Sequence, residues 1–138
     1  MADFHLKIIT PYGTCFDDMA QCIVVSSNDG EIAIMANHIN YAVGIKTSPL
    51  KIKENGKVHL ASVTDGFITV KNNEVFIITN SLEWAEDIDI ERAKLAERRA
   101  RELLELKLSD DQIKHANVKL QRAVNRISVY NKNNVNIK

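Results

Sequence analysis

The sequence predicts an α+β chain of two domains: an N-terminal antiparallel β-sandwich over residues 1–84 and a C-terminal antiparallel two-helix hairpin over residues 85–138. Three observations predict this division. Apolar and polar residues alternate in short runs between residues 4 and 79, which is the period of strands. From Asp89 onward the apolar residues recur at three- and four-residue steps, which is the period of helices. All six arginines of the chain lie in the second segment.

The first segment contains eight short runs with strand-like alternation, and turn dipeptides separate them. The turn signals include Asn28–Asp29–Gly30, Asn55–Gly56 and Asn72–Asn73, which favour tight hairpins. Short strands with turns at this spacing are typical of an antiparallel sandwich or barrel. The predicted strands are residues 4–10, 20–27, 31–35, 41–47, 50–54, 57–64, 67–71 and 74–79.

The second segment carries two narrow apolar stripes that are rich in alanine. Between them, Ser109 and Gln112 have the spacing of a capping box, which predicts the start of a second helix. Two amphipathic helices joined by so short a loop are expected to pack antiparallel, and the polar tail 131–138 is expected to fray. The stripes are Ala93, Ala96, Ala100 and Leu103, and then Ile113, Ala116, Leu120, Ala123 and Ile127.

The formal net charge is zero, but the two segments differ in sign. Residues 1–84 carry six Lys against nine Asp and Glu, a net of −3. Residues 85–138 carry six Arg and six Lys against nine Asp and Glu, a net of +3. The balance argues against a general nucleic-acid binder. No apolar run is long enough to cross a bilayer, and the N-terminus lacks the apolar region of a signal peptide, so a cytoplasmic protein is expected.

The side chains that most often carry catalysis or bind metals show no suitable pattern. Cys15 and Cys22 are predicted to be two buried thiols rather than a metal or redox pair. The four histidines are scattered and are expected to be structural or exposed. The chain also lacks a P-loop and a GxGxxG motif. The sequence therefore predicts no catalytic residue and no metal site.

The arginines of the second segment need a partner. Three pairs at i,i+4 are expected on the first helix: Glu97 with Arg101, Arg98 with Glu102, and Arg101 with Glu105. The second helix has no acidic residue after Asp111, while Arg122 and Arg126 lie one turn apart on the same face. Like charges at this spacing repel, so an anion is expected beside them, unless both are simply exposed to solvent.

A hairpin folded about Ser109 brings the arginines of both helices to one groove. Arg92 then lies opposite Arg126, and Arg122 lies opposite Ala96, within a turn of Arg99. Asp89 and Glu83 are expected at the open end of this groove. Guanidinium forks suit phosphate oxygens, so a phosphate ester such as a nucleotide and an acidic protein surface are both candidate partners.

The chain resembles the epsilon subunits of bacterial F-type ATP synthases over nearly its whole length. Five motifs occur in the same order as in that family. They are "IITPYG" (8–13) for I-V-T-P-x-G, "GEIAIMANH" (30–38) for G-E-L-G-I-L-P-G-H, "TDGF" (64–67) for S-G-G-F, "EWAEDIDIERA" (83–93) for E-x-A-E-D-I-D-x-x-R-A, and "RAVNRI" (122–127) for R-A-x-N-R-L.

This resemblance implies a non-catalytic subunit of a proton-translocating rotary motor. The sandwich is expected to lie between the gamma subunit and the ring of c subunits, at the cytoplasmic face of the membrane and without insertion into it. The hairpin is expected to be mobile: folded on the sandwich, or extended to contact the alpha and beta subunits and inhibit ATP hydrolysis.

The resemblance also implies a regulatory ATP site in the folded hairpin, with no cofactor required. Asp89, Glu83 and the backbone near Ile88 are expected to read the base. Four arginines are expected to hold the phosphates, and Ala93 to leave room for the ligand. The full set is Glu83, Ile88, Asp89, Arg92, Ala93, Arg99, Arg122 and Arg126.

Two other readings of the sequence remain open at this point. In the first, the chain is the same subunit, but its hairpin is structural and does not bind ATP. In the second, a β-domain carries a basic tail that binds nucleic acid; this reading ranks last, because Tyr130 alone offers a stacking ring in the second helix. Isolated chains that exchange hairpins would form a dimer.

Overall fold

The computed structural model describes residues 2–137; Met1 and Lys138, a lysine counted in the charge of the second segment, lie outside the described residues. The chain forms two compact units, with the boundary between Trp84 and Ala85. The first unit consists of strands and the second of helices. None of the described helices is long and apolar enough to cross a membrane.

Within its described residues, the first unit contains ten strands that join in one hydrogen-bonded sheet. Their order is β10-β7-β6-β3-β5-β8-β9-β1-β2, and β4 pairs with β3 beside this path. All neighbours are antiparallel except β1 and β9, which are parallel. The strands are β1 Phe4–Thr10, β2 Gly13–Ala20, β3 Cys22–Ser27, β4 Gly30–Met35, β5 Tyr41–Ile45, β6 Ser48–Glu54, β7 Lys57–Val63, β8 Gly66–Lys71, β9 Glu74–Thr79 and β10 Leu82–Trp84.

One apolar core lies inside this folded sheet, as the predicted β-sandwich requires. In β1 the burial alternates strictly, so that Phe4, Leu6 and Ile8 point inward. The same alternation directs Ile23 and Val25 of β3 into the core. Further core side chains come from β4 to β9: Ile34, Ile45, Leu50, Ile52, Ala61, Val63, Ile68, Val70, Val75 and Ile77.

The hairpin turns predicted from asparagine are present, and their backbone explains the choice of residue. Asn55, Asn72 and Asn73 all have positive φ angles, at 49°, 52° and 64°. Asparagine tolerates this left-handed region better than most residues with a side chain. The pairs Glu54–Lys57 and Lys71–Glu74 close the two turns.

Two strands were not predicted from the sequence, and each has a physical reason. β2 is an edge strand paired only with β1, and most of its residues are exposed, so it shows no apolar alternation. It also contains an irregularity: Ile8 faces Phe16 but Ile9 faces Thr14, which leaves Cys15 as the extra residue. β10 has three residues, too few to display a period.

The prediction that both cysteines are buried is wrong. Cys15 and Cys22 are free thiols of intermediate exposure. Cys15 occupies the irregularity in β2. Cys22 precedes buried Ile23 on β3, so alternation turns its side chain to the outer face of the sheet.

As far as Ile137, where the described part of the chain ends, the second unit consists of a 3₁₀ turn, Ala85–Asp87, and two helices, α1 Ile90–Leu104 and α2 Asp110–Ile137, which pack against one another. The predicted capping box is formed: Gln112 N donates to Ser109 Oγ at 3.3 Å, and Ser109 N donates to Gln112 Oε1 at 3.0 Å. The prediction that residues 131–138 fray is wrong as far as Ile137, because α2 continues to that residue.

Candidate anion-binding face of the helical hairpin

A seam of small buried residues joins the two helices. Ala93 and Ala100 of α1 are 1% exposed, and Ala116 and Ala123 of α2 are 2% exposed. Each pair is seven residues apart, or two helical turns, so both members lie on the same face of their helix. The alanine stripes predicted from the sequence therefore form the contact between the helices. Leu103 and Ile113, at the ends of the stripes, are more than a third exposed.

Arg92 and Arg99 lie at equivalent positions beside this seam. Each immediately precedes a buried alanine of α1, which places it about 100° around the helix from the seam. Both side chains are exposed. The two guanidinium groups thus project on the same side of α1, two turns apart.

The arginines of α2 project on that same side of the hairpin. Arg122 immediately precedes buried Ala123, and Arg126 follows it by three residues, which is the same side of the helix. Because α2 runs opposite to α1, a residue one position before the seam lies on the same side of the hairpin in both helices. Both arginines are exposed. We call the surface of Arg92, Arg99, Arg122 and Arg126 the arginine face.

The sequence did not single out a fifth cation on this face. Lys119 lies three residues before Arg122 and seven before Arg126, so it belongs to the same side of α2. It is exposed. The spacing of Lys119 from the two arginines could have identified it. However, a lysine lacks the planar guanidinium fork of an arginine and resembles an ordinary solvated charge.

Asp89 caps the start of α1. Its Oδ1 accepts a hydrogen bond from Arg92 N at 3.2 Å, and its carbonyl accepts from Ala93 N at 3.0 Å. Ile88 before it is buried, and Ile88 N donates to Ala85 O at 3.3 Å. This arrangement fixes a carboxylate at the helix N-terminus, one turn from Arg92.

One of the three predicted ion pairs of α1 is present. Arg101 Nη2 lies 3.3 Å from Glu97 Oε2. The predicted pairs Arg98–Glu102 and Arg101–Glu105 are wrong, since neither is within ion-pair distance. All of these side chains are substantially exposed, and holding two long exposed side chains together costs conformational entropy. Glu97 and Arg101 lie on the opposite side of the seam from the arginine face.

Glu83 belongs to the first unit. It lies on β10 opposite Ser62 of β7 and is half-buried. The other seven predicted site residues belong to the second unit. Ile88 and Ala93 are buried there, whereas Asp89 and the four arginines are exposed.

The chemistry of the arginine face is that of anion binding. Guanidinium groups donate paired hydrogen bonds to phosphate or carboxylate oxygens and keep their charge at every physiological pH. Within residues 2–137, no cluster of three or more His, Cys, Asp or Glu side chains is placed to hold a metal ion.

Two family models match the chain, one for each unit. The model described as ATP synthase, delta/epsilon chain, beta-sandwich domain, matches residues 3–85. The model described as ATP synthase, delta/epsilon chain, long alpha-helix domain, matches residues 86–131.

Curated relatives match over almost the whole length of the chain. The ATP synthase epsilon chain of Caldicellulosiruptor bescii is 41% identical over 133 residues, which are 96% of this chain and 97% of the relative. The ATP synthase epsilon chain of Ruminiclostridium cellulolyticum is 38% identical over 132 residues, 96% of this chain and 98% of the relative.

Two solved structures share the fold. A chain in the cryo-EM structure of the Euglena gracilis mitochondrial ATP synthase has a TM-score of 0.79 and 21% identity, over 88% of this chain and 77% of that one. A chain in the Tetrahymena thermophila mitochondrial ATP synthase structure, described as central stalk and c-ring, has a TM-score of 0.64 and 14% identity, over 91% of this chain and 95% of that one.

Proposed function

Because the chain belongs to the family of ATP synthase delta/epsilon chains, we propose that it is a central-stalk subunit that joins the gamma subunit to the c-ring. An ATP synthase epsilon chain is a non-catalytic subunit and not itself an enzyme. The observation that carries the proposal is the match in both units, which includes the helical hairpin as well as the sandwich.

The proposed place in the complex is peripheral, at the cytoplasmic face of the bacterial cell membrane. In support, the Tetrahymena neighbour comes from a structure of a central stalk with its c-ring. The test is co-purification of the full chain with the gamma subunit of the same organism. A stoichiometric complex on size-exclusion chromatography is expected, and failure to form one would contradict the stalk role.

For the second unit, the proposal is a regulatory ATP site on the arginine face. The phosphates of ATP would offset the mutual repulsion of Arg92, Arg99, Arg122 and Arg126 and accept their hydrogen bonds. Asp89 would accept a hydrogen bond from the base, with the backbone near Ile88 beside it. Ala93 is buried at the helix seam, so its small side chain already serves close packing in the hairpin without ATP.

Such a site would make the hairpin a switch. ATP that binds only to the folded hairpin shifts the population toward that state by its differential affinity. Without ATP, the extended hairpin would present the same arginines to acidic surfaces of the alpha and beta subunits and inhibit ATP hydrolysis. The same cations therefore serve two partners that exclude each other.

The ATP proposal is tested by equilibrium titration of the full chain. Arg92→Ala and Arg122→Ala are each expected to weaken ATP binding about 10- to 100-fold, since a hydrogen bond to a charged group contributes about 1.5–3 kcal/mol and about 1.4 kcal/mol is tenfold. Arg98→Ala is the matched control, because Arg98 is an exposed arginine of α1 that lies away from the arginine face. It should leave the affinity nearly unchanged.

Two outcomes would reject the ATP site while leaving the stalk role intact. Millimolar or absent affinity of the unaltered chain would leave a structural hairpin, the alternative that the sequence already suggests. Equal losses in Arg98→Ala and Arg92→Ala would show a general effect of positive charge rather than a built site.

A further inference from the structure

The turn between β6 and β7 differs chemically from the other asparagine turns of the first unit. Asn55 is the only asparagine of the chain that is followed by glycine. It is exposed, and within the described part of the chain its side chain makes no hydrogen bond. Gly56 has a φ of +78°, and a Cβ built on it would meet nothing within 4 Å. Gly56 is exposed and has no side chain of its own to cover its backbone nitrogen.

In the neighbouring turn and loop, the side chains of Asn73 and Asn40 are held by hydrogen bonds. Asn73 Nδ2 donates to Asp3 O at 2.9 Å, and Asn73 Oδ1 accepts from Asn37 N at 2.8 Å. Asn40 Oδ1 accepts from Asn72 N at 3.3 Å. These contacts fix both ends of the Asn73 amide and the carbonyl end of the Asn40 amide. The amide of Asn55 has no comparable restraint.

We propose that Asn55 is the site of spontaneous deamidation in this chain. The deprotonated backbone nitrogen of Gly56 attacks Cγ of Asn55, the C–N bond of the side-chain amide breaks, and ammonia leaves with a proton from the medium. The product is a five-membered succinimide. Water then adds to one of its two carbonyls and opens the ring, giving aspartate or isoaspartate. The net change consumes one water and releases one ammonia, without oxidation or reduction.

Folding restrains this reaction but does not block it. The paired residues Glu54–Lys57 and Lys53–Val58 of the β6–β7 ladder hold the turn in its left-handed conformation, and Asn55 must leave it to form the ring. Conversion therefore proceeds from open conformations of the turn. Deamidation is therefore slower in the folded chain than in the unfolded chain. Its rate in the folded chain reports how often this end of the β6–β7 hairpin opens.

The two products differ in what they do to the sandwich. Aspartate adds one negative charge beside Glu54 and is compatible with the same turn. Isoaspartate adds a methylene group to the backbone, so the closing pair Glu54–Lys57 loses its register. Glu54 Oε2 lies 3.1 Å from His59 Nε2, and the His59 ring lies 6.2 Å from that of Trp84. These two contacts connect the turn to Trp84, the only tryptophan of the chain, so isoaspartate is expected to change the surroundings of its ring.

The test is prolonged incubation of the folded full chain in mildly alkaline buffer, followed by digestion and mass spectrometry. The peptide that contains Asn55 is expected to gain the mass difference between an amide and an acid, in two chromatographically separable forms. Asn55→Gly should abolish the gain, because it removes the amide but keeps a turn that favours positive φ. The peptide with Asn72 and Asn73 from the same digest serves as an internal control and should stay unchanged.

A second measurement separates the two products. Asn55→Asp carries the charge of the aspartate product without the extra methylene, and its Trp84 fluorescence should match the unaltered chain. A changed Trp84 emission in the aged protein, in proportion to isoaspartate, is expected. An Asn55 peptide that keeps its mass while the urea-unfolded chain converts, or a faster gain at Asn72, would overturn the proposal.

Discussion

Gly66 of β8 lies directly against the backbone of β9. A Cβ built at Gly66 would lie 1.9 Å from Ile78 O and 2.8 Å from Thr79 Cα, and both are backbone atoms. Backbone atoms of a hydrogen-bonded ladder cannot move aside without breaking their pairs. This glycine is therefore required by space, and its φ lies outside the range that excludes other residues.

Replacement of this glycine is a sharp test of that packing. Gly66→Ala is expected to lower the free energy of unfolding by about 1–3 kcal/mol or more, because the strands must separate to admit a methyl group. Urea unfolding followed by Trp84 fluorescence measures the change.

Gly44→Ala is the control. Its Cβ would meet Asn28 Nδ2 at 2.5 Å, the end of a flexible side chain, which can rotate away. Equal destabilisation by the two substitutions would contradict the distinction between backbone and side-chain contacts.

For the candidate site and the helix that carries it, some features of single residues were predicted correctly from the sequence and others were not. Asp89 was predicted at the start of the first helix, and the structure gives it the N-cap bond to Arg92 N. The side of the hairpin shared by Arg92 and Arg122 follows from their position before a buried alanine. The exposed pairs Arg98–Glu102 and Arg101–Glu105 were predicted and are absent, because spacing alone does not overcome side-chain entropy.

At the scale of elements, α2 begins where its capping box predicts. Ser109 Oγ and Gln112 Oε1 each accept a backbone hydrogen bond from the other residue. Two backbone donors at the helix start are thereby satisfied without tertiary contacts. The capping box depends on four consecutive residues, so it could be predicted from the sequence alone.

Removal of the cap should loosen the start of α2. Ser109→Ala is expected to lower the stability of the helical unit by about 0.5–2 kcal/mol, since the Gln112 backbone donor loses its partner. The measurement is thermal unfolding followed by circular dichroism at a helical wavelength.

Ser109→Asp provides the matched variant. Its carboxylate keeps an acceptor at the N-cap and interacts favourably with the helix dipole, so stability should be retained. A loss in Ser109→Asp as large as that in Ser109→Ala would show that the cap does not stabilise this helix.

The sequence predicted β1 and β3 because a buried face gives each of them apolar alternation. β1 and β3 alternate and were predicted, whereas β2 lies at an edge with most residues exposed on both faces. β10 is recognisable only by its pairing with β7. Edge position and strand pairing are properties of the folded sheet, and a local pattern does not contain them.

At the scale of the whole molecule, the two units differ in how they are stabilised. Every residue of the apolar core cluster lies in the first unit. In the second unit the buried side chains are mainly alanines, which bury little apolar area each. A short isolated helix is marginal in water, so the hairpin relies on its narrow seam.

Because the two units are stabilised differently, we expect isolated fragments of the two units to differ in how well they fold. Residues 1–84 alone are expected to unfold cooperatively in urea, because the core and its ring cluster of Phe16, His59 and Trp84 are all retained. Residues 85–138 alone are expected to lose much of their helix at room temperature. Circular dichroism of both fragments is the measurement.

A non-cooperative transition of the 1–84 fragment would contradict the independence of its core. Full helicity of the 85–138 fragment, unchanged on dilution, would instead show that the alanine seam suffices without other contacts. Dilution matters because fragments that associate would gain helix through a second copy.

The sequence by itself determined the two-unit α+β plan, most strand positions, the cap of α2 and the alanine faces of both helices. These depend on period, turn chemistry and capping, which act over a few neighbouring residues. Only the tertiary structure decided the strand order, the edge strands, the exposure of the cysteines and which of the predicted ion pairs forms on α1. The reason is that pairing and burial depend on residues far apart in the chain, whose approach no local pattern records.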